Sequence, residues 1–598
     1  MKNRNLIFFS IKKLYQNMSQ NAAYLKYMAF IYMVSTGIFD FMLVFFPKIL
    51  LDFYMENKGK NGMFLCIMFF LIIGSITGWV SGELKERAKA KIGFLRIDYL
   101  ADAFSKIITS DYQYMEDTTF FNRYDSAFNA CSSPEKGIEK IYSILFELPA
   151  LCFKFCIFTF ILVWFSPWII VSIIVHISIQ FFLKKKHSIY KYDFKEILSK
   201  SSRKKRYFHN ITQDFQYGKE IRLYKLKHLL LEKYTKEILN YKKIFKNIKK
   251  RELFFSIIGV ITLFINDVFV YSILITKAKN GISISNITMY FLVITIVIQE
   301  MNLLVSYLST LYGEGMFVVD FFHFLNADLS KKDGKEISFS NKDTVGIEIK
   351  DFSFQYPNTN RYIYKNLNLK INAGEKIALL GVNGIGKSTL IKVLTGLFRE
   401  FEGDIFIEGQ SIKEMSNTSL FSLFSVVFQD INLLSYTVAE NIVGNEEIDE
   451  EKVWDVLKQV GLENRIKMEK HGIHQFVHKY FYEDGLSFSG GESQKMAIAR
   501  AIYKNSKVFI LDEPTSAMDA FAEKEFYEQF CDLTRDKTTI FISHRLASTK
   551  FCDRIILIGA DGILEEGTHE ELMMRKGSYF EMFQLQGKYY QEEQYETD

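Results

Sequence analysis

Residues 376–389, Lys-Ile-Ala-Leu-Leu-Gly-Val-Asn-Gly-Ile-Gly-Lys-Ser-Thr, join a short apolar run to a glycine-rich loop. The apolar run predicts a buried strand, and the residues after the loop predict a helix. The glycines allow backbone N–H groups to turn toward an anion, and the helix N-terminus adds partial positive charge. This strand–loop–helix order is typical of a phosphate-binding loop.

The side chains of this loop predict a nucleotide site with a magnesium ion. Lys387 would reach the β- and γ-phosphates, and Ser388 would coordinate Mg²⁺. The predicted nucleotide-binding residues of the loop are Gly381, Asn383, Gly384, Gly386, Lys387, Ser388 and Thr389.

A second apolar run, residues 507–511, ends in Asp512 and Glu513. Ligands of parallel α/β sheets bind at the carboxyl ends of the strands, so both carboxylates are expected near the phosphates. Asp512 would hold the Mg²⁺ shell through water, and Glu513 would polarise the attacking water.

The chain before about residue 310 has a different character, with long apolar runs. Six of them are long enough to cross a membrane as helices: residues 25–54, 61–83, 138–165, 167–184, 253–277 and 284–308. Basic clusters lie in the long connections 84–137 and 185–252, which the positive-inside rule places in the cytoplasm. An even number of spans then places both termini inside.

The remaining segments complete the predicted domain organisation. Residues 1–22 are basic and amphipathic, without a cleavage site, and favour a helix on the membrane surface. The transmembrane domain covers 23–326, a polar linker 327–346, an α/β nucleotide-binding domain 347–586 and a polar tail 587–598. The net charge of +5 is small for 598 residues and does not indicate a nucleic-acid partner.

The segment Phe488-Ser489-Gly490-Gly491-Glu492, which leads into a predicted helix, makes the assignment specific. It resembles the signature sequence of ATP-binding-cassette proteins. With the six spans, the whole chain is similar to bacterial half-transporters of the exporter type. The fold class implied is an α-helical six-span transmembrane domain plus a cytosolic α/β P-loop ATPase domain of the ATP-binding-cassette type.

The resemblance implies further roles for individual residues. Tyr356 resembles the aromatic residue that stacks on adenine, and Gln429 the glutamine that senses Mg²⁺. His544 resembles the switch histidine that assists Glu513 in catalysis. Ser489, Gly490, Gly491 and Glu492 would contact the nucleotide of a second subunit, and Ser388, Gln429 and Asp512 would surround the metal.

Three positions depart from the family pattern. The signature usually has leucine and glutamine where this chain has Phe488 and Glu492, and Met518 replaces a leucine in the loop after Glu513. The negative charge of Glu492 could weaken ATP binding, whereas methionine has nearly the volume of leucine.

The resemblance implies ATP-driven export across the cell membrane, of a peptide, a drug-like amphiphile or a lipid. The alternative is a membrane-bound ATP-dependent sensor or regulator without net transport. The resemblance also implies a partner, either a second copy or a similar half-transporter, because in this family the signature of one subunit completes the ATP site of the other. Residues 117–123 and 217–224 resemble the coupling helices of exporters.

Three carboxylates lie within the apolar runs: Asp40, Asp267 and Glu300. A charge at that depth costs a few kcal/mol unless it meets water or a partner. One hypothesis is that at least two of them line a central cavity and favour a cationic substrate. The alternative is that they pair with neighbouring polar groups, for which Asn266, Gln299 and Asn302 are candidates, or reach the external lipid headgroups.

Overall fold

The computed structural model describes residues 2–56, 60–214, 217–330, 334–339, 344–357, 359–444, 446–514, 520–543, 546–559 and 562–585. The chain divides into two compact units. The helical unit comprises Met1–Ser110 and Asp117–Leu329, and the α/β unit comprises Asp111–Glu116 and Ser330–Asp598.

The helical unit is built from long apolar helices. Those described are α1 (Lys2–Asn21), α2 (Tyr24–Met55), α3 (Lys60–Ile108), α4 (Thr118–Cys131), α5 (Gly137–Phe165), α6 (Pro167–Asp193), α7 (Lys195–Gln213), α8 (Gly218–Leu223), α9 (Lys227–Lys279) and α10 (Ile284–Leu325). Of the described helices, α2, α3, α5, α6, α9 and α10 are long and apolar enough to cross a membrane. They contain the six apolar runs, and the six-helix prediction is confirmed.

The connections expected to be long loops are largely continuations of the spanning helices. Helix α3 has 49 residues and α9 has 53. At a rise of 1.5 Å per residue they are about 74 Å and 80 Å long, more than twice the ~30 Å apolar core of a bilayer. The apolar runs end where the lipid would end. Their lengths therefore predicted the membrane-spanning segments but not the polar extensions of the same helices.

Helix α1 places one face against the rest of the helical unit. Ile7, Leu14 and Met18, spaced seven and four residues apart, are buried. The hydroxyl of Tyr142 in α5 donates to Asn17 Oδ1 over 3.0 Å. Phe8 remains exposed on another face of α1. The helix is therefore anchored by protein contacts, and its expected location on a membrane surface stays a prediction.

Two of the three carboxylates in the spans share one cation. Lys154 Nζ in α5 lies 2.9 Å from Asp40 Oδ2 in α2 and also contacts Glu300 Oε1 in α10. The three side chains are largely buried, and together they carry one net negative charge. This agrees with the alternative that the carboxylates are paired, although the partner is Lys154 rather than a neighbouring amide.

Asp267 does not share this arrangement. Its Oδ1 atom is buried and has no hydrogen-bond partner among the described residues. Neither polar side-chain atom of the adjacent Asn266 has a described partner either, so the expected pairing between these neighbours does not form.

The strands of the α/β unit form two sheets within the described residues. They are β1 (Ile347–Gln355), β2 (Tyr362–Ile371), β3 (Lys376–Leu380), β4 (Glu402–Ile407), β5 (Gln410–Ser411), β6 (Phe424–Val427), β7 (Val508–Asp512), β8 (Thr538–Ile542), β9 (Arg554–Gly559) and β10 (Gly562–Gly567). The first sheet is antiparallel, in the order β2-β1-β4-β5, and the second has the order β10-β9-β3-β8-β7-β6.

In the second sheet, β6, β7, β8, β3 and β9 are parallel, and β10 is antiparallel to β9. Strands β7 and β8 are buried along their whole length, as expected for strands covered on both faces. The described helices of this unit are α11 (Lys387–Leu394), α12 (Asn417–Ser422), α13 (Val438–Val443), α14 (Glu450–Gln459), α15 (Glu463–Lys467), α16 (Gly490–Lys504), α17 (Ala520–Leu533) and α18 (His569–Arg575).

A short segment from the middle of the helical sequence belongs to the α/β unit. It contains the 3₁₀ helix Tyr112–Glu116. The ring of Tyr112 meets the ring of Phe398 edge-on at 5.8 Å, and Glu116 Oε1 lies 2.9 Å from Lys392 Nζ. Residues 117–123, which the resemblance identifies as a coupling helix, contain the N-cap and the start of α4 in the helical unit, and their coupling role stays a prediction.

The Lys154 arrangement leads to a stability prediction. We expect Lys154→Met to destabilise the protein by about 3–5 kcal/mol, because it leaves two buried carboxylates without a cation. The midpoint of thermal unfolding in detergent micelles measures the effect. The exposed Lys277 near the end of α9 provides the control Lys277→Met, which should leave the midpoint unchanged.

The joint variant Asp40→Asn/Lys154→Met/Glu300→Gln should regain most of the lost stability, since no isolated charge remains. Equal midpoints for Lys154→Met and the natural chain would contradict the prediction.

Candidate functional site

The loop between β3 and α11 has the backbone shape expected of an anion cradle. Gly381, Gly384 and Gly386 have φ angles of +155°, +78° and +113°. A Cβ on Gly386 would lie 2.4 Å from Ile363 Cγ2, so side chains are excluded there by contact as well as by φ. The loop leads directly into the N-terminus of α11, where backbone N–H groups and the helix dipole favour an anion.

Lys387 begins α11 and folds back over this loop. Its Nζ donates to the carbonyl of Gly381 over 2.7 Å and to that of Val382 over 3.3 Å. Burial lowers the pKa of Lys387, and the nearby carboxylates of Glu513 and Asp512 oppose the shift. The carbonyl oxygens compensate the positive charge of Lys387 only in part. A phosphate group bound at this loop would supply the missing negative charge.

Asp512, the last residue of strand β7, lies beside Ser388 and Lys387 of the phosphate loop. The carboxyl is buried, and burial raises its pKa above the ordinary value, while a hydrogen bond with Ser388 and the charge of Lys387 oppose that shift. Asp430 is a further acidic neighbour, which sequence reasoning missed. A divalent cation would therefore be favoured here, because it relieves the cost of a buried carboxylate.

The residues present fit a magnesium ion. Ser388 and Asp512 offer oxygen atoms, and Mg²⁺ is usually held by one or two carboxylates together with substrate phosphates and water. In the described residues there is no cluster of three or more His, Cys, Asp or Glu side chains that could form an all-protein metal cage. The set therefore suits an ion that arrives with a phosphate ligand.

Glu513 is fixed by three contacts. Its backbone N–H donates to the carbonyl of Ile542 over 2.9 Å, and Gln494 Nε2 donates to its carbonyl over 3.1 Å. Gln429 Nε2 donates to Glu513 Oε2 over 2.7 Å. Glu513 also has a φ of +51°, an uncommon value for a residue with a side chain, which turns it out of the strand direction.

Tyr356 lies beside the phosphate loop. Its hydroxyl and Thr389 Oγ1 are 2.9 Å apart, and its ring meets that of Phe398 edge-on at 5.4 Å. These contacts orient the ring next to α11, in keeping with its predicted role beside a nucleotide base. Phe398 was not expected from sequence, because a lone phenylalanine carries no signal that separates a support for Tyr356 from ordinary core packing.

The signature segment forms the N-terminus of α16. Ser489 caps this helix, with Glu492 N donating to Ser489 Oγ over 3.3 Å and Ser489 N donating to Glu492 Oε2 over 2.8 Å. Ser489 and Gly490 are exposed, and Gly491 is partly exposed. The capping box thus presents the start of α16, with its free backbone N–H groups, at the surface.

Glu492 is held by a neighbouring cation as well. Arg465 Nε in α15 lies 3.4 Å from Glu492 Oε1, and Arg465 also contacts Glu469. The Ser489 N–H, with help from Arg465, holds the pKa of Glu492 below its ordinary value. The carboxylate that replaces the usual glutamine is therefore engaged by one cation and one backbone donor.

The structure groups the predicted residues into two sets. Contacts link Tyr356 to Thr389, Ser388 to Asp512 and Gln429 to Glu513. In the second set, Ser489 contacts Glu492, and Glu492 also pairs with Arg465. Asn383 is exposed within the loop. His544 and the loop with Met518 lie outside the described residues. Gln494, Arg465 and Asp430 were missed, because only their spatial neighbours distinguish them.

Comparison with known proteins gives a consistent result. Residues 364–516 match the family model described as ABC transporter. The subtilin transport ATP-binding protein of Bacillus subtilis is 33% identical over 61% of this chain and 59% of its own length. The nisin transport ATP-binding protein of Lactococcus lactis is 26% identical over 91% of this chain and 89% of its own.

Two further matches are a lipid flippase and a solved exporter structure. The ATP-dependent lipid A-core flippase of Salmonella paratyphi A is 31% identical over 49% of this chain and 51% of its own length. The match thus covers less than two thirds of the length of the subtilin protein and of the flippase, but most of the length of the nisin protein. The solved structure of a bacterial Atm1-family ABC exporter with ATP bound has a TM-score of 0.80 at 18% identity, covering 95% of this chain and 98% of the other.

The position of Glu513 yields a kinetic prediction. Glu513→Gln keeps the size of the side chain but removes a general base, so ATP should still bind while hydrolysis slows by at least about a hundredfold. Nucleotide binding and single-turnover hydrolysis measure the two effects separately. The exposed Glu451 provides the control Glu451→Gln, which should hydrolyse ATP normally. Near-normal turnover of Glu513→Gln would mean that the base is another residue.

The pairing of Glu492 yields a second prediction. Arg465→Gln should raise the KM for ATP about two- to fivefold with a smaller change in kcat, the size expected for a partly exposed ion pair. The double variant Arg465→Gln/Glu492→Gln should restore the KM, because the uncompensated charge is gone. Lys467→Gln, which removes a cation that pairs with Glu463 instead, is the matched control. A raised KM that persists in the double variant would contradict this role.

Proposed function

We propose that this chain, whose residues 364–516 match the ABC transporter family and whose fold is that of an ABC exporter, uses ATP hydrolysis to move an amphipathic substrate out across the cell membrane. One observation carries the proposal. Helices able to span a membrane share a chain with a phosphate loop whose Lys387 and Ser388 lie beside Asp512. An energy-consuming site attached to a membrane domain is what active transport requires.

Different residues of the α/β unit have different roles in the proposed hydrolysis of ATP. Lys387 neutralises phosphate charge, and Asp512 with Ser388 and Gln429 would hold Mg²⁺. When bound, Mg²⁺ stabilises the negative charge that develops on the phosphate oxygens. Glu513, oriented by Gln429 and Gln494, would accept a proton from the attacking water. His544 would assist at the γ-phosphate, as the family resemblance implies.

The exposed signature favours a dimeric assembly. Ser489 and Gly490 lie at the exposed start of α16 in the α/β unit, and the hydrogen bonds of Ser489 in the described residues are with Glu492 and not with the phosphate loop. Their N–H groups would instead meet the phosphates bound by a second subunit, and that subunit's signature would complete the site of this chain. The second subunit is a copy of this chain or a similar half-transporter.

The substrate is proposed as a peptide, a drug-like amphiphile or a lipid. Relatives are named for subtilin, nisin and lipid A-core, and these names support a peptide or lipid cargo. The basic connections between spans support an orientation with both termini and the ATPase unit in the cytoplasm.

Reconstitution tests the proposal. In vesicles with the α/β unit facing outward, ATP and Mg²⁺ should drive accumulation of a fluorescent amphipathic peptide, a fluorescent lipid or a drug-like dye. We expect at least one of these to accumulate about tenfold above the Glu513→Gln control, since that variant retains binding but not turnover.

The result also separates transport from the alternative role. ATP hydrolysis stimulated by one of the probes, without accumulation of any of them, would favour a sensor or regulator and contradict export.

A further inference from the structure

A cavity of about 720 Å³ lies within the helical unit, between α6, α9 and α10. Its size falls in the range of pockets that hold small molecules or a part of a larger ligand. Apolar side chains, among them Leu183, Phe255 and Leu263, form some of its walls. The remaining lining is unusually polar for helices that cross a membrane.

Helix α6 contributes a continuous polar stripe. The residues are His176, Gln180, Lys184, His187 and Lys191, and all of them line the cavity. Steps of four, four, three and four residues place them on one helix face. Polar groups on a spanning helix are costly against lipid and are found facing water, protein or a ligand. The stripe therefore marks the cavity as a polar compartment.

The cavity carries an excess of positive charge. Four lysines and two glutamates line it, which leaves two positive charges with the histidines neutral: Lys136, Lys184, Lys191, Lys249, Glu252 and Glu314. Lys249 Nζ lies 2.7 Å from Glu252 Oε2, and Lys191 Nζ lies 3.7 Å from Glu314 Oε1. Both carboxylates are thus engaged by cations of their own.

Two polar groups of the stripe lack partners in the described structure. Lys184 is half-buried, and no described ion pair or hydrogen bond engages its ammonium group. His176 is 5% exposed, and neither ring nitrogen has a hydrogen-bond partner among the described residues. A half-buried cation and a buried donor that face one cavity both favour an oxyanion there.

We propose that this cavity binds the anionic group, a carboxylate or a phosphate, of an amphipathic substrate. Lys184 supplies the ion pair, His176 donates a hydrogen bond, and the apolar walls contact the hydrocarbon part. The inference deepens the proposed export function, on which it rests. It differs from the hypothesis of a cationic or amphipathic substrate in the sign of the charge, because Asp40 and Glu300 are paired with Lys154 and do not line this cavity.

Binding to the purified full-length protein in dodecyl maltoside micelles, without ATP, tests the proposal. The probes are octyl phosphate, octanoate, octyltrimethylammonium and inorganic phosphate, measured by thermophoresis. We expect both anionic amphiphiles to bind at least about tenfold more tightly than the cationic one. Lys184→Gln should weaken both anions about tenfold, and Lys184→Arg should bind them within about threefold of the natural chain.

Lys186→Gln is the matched control, because Lys186 lies on the exposed face of the same helix and does not line the cavity. It should bind all probes as the natural chain does. His176→Leu should weaken the anions with the thermal unfolding midpoint retained.

Equal anion binding by Lys184→Gln and Lys186→Gln would overturn the proposal, as would tighter binding of octyltrimethylammonium. Inorganic phosphate binding as tightly as octyl phosphate would make free phosphate the ligand and would also overturn it. Because the assay needs no ATP, its result is independent of transport: a chain that binds the anions without moving any probe refutes export alone.

Discussion

A charge removed from water must meet an opposite charge or a set of hydrogen bonds, and this constraint organises both units of the protein. In the α/β unit, buried Asp512 is matched by Ser388 and Lys387, which fixes the phosphate loop beside the end of β7. In the helical unit, Lys154 joins Asp40 to Glu300 and thereby ties together three spanning helices. The same physical requirement thus produces a chemical site in one unit and a structural clamp in the other.

The meeting of the phosphate loop with Asp512 could be predicted from sequence, because the loop residues are contiguous and Asp512 ends another buried strand. The order strand, glycine-rich loop and helix is typical of a phosphate-binding loop. Carboxylates at the end of a parallel strand lie at the edge of the sheet where ligands bind. Residues such as Gln494 and Arg465 escaped prediction, since each acts through a side chain from a distant part of the sequence. The charge of Glu492 could be noticed from sequence, but not the cation beside it.

For the membrane-spanning helices, the contacts between side chains were harder to predict from sequence than in the α/β unit. The number of these helices follows from the length of the apolar runs, yet the partners of their charged residues could not be deduced. Lys154 is a single lysine in an apolar run, and only the packing of α5 between α2 and α10 reveals that it faces two carboxylates. Likewise, the polar stripe of α6 follows from helical spacing, whereas the cavity that it lines depends on α9 and α10.

The segment Tyr112–Glu116 has a consequence for how the protein is made and divided. It is synthesised long before the rest of the unit to which it belongs, and 276 residues separate Glu116 from Lys392. The contact forms only after Lys392 has been synthesised, and closing so long a loop costs conformational entropy. A fragment cut at the linker would expose the edge of Phe398 that Tyr112 covers. An exchange of ATPase units between related chains would therefore have to carry these few residues along, although they lie on the far side of four spans.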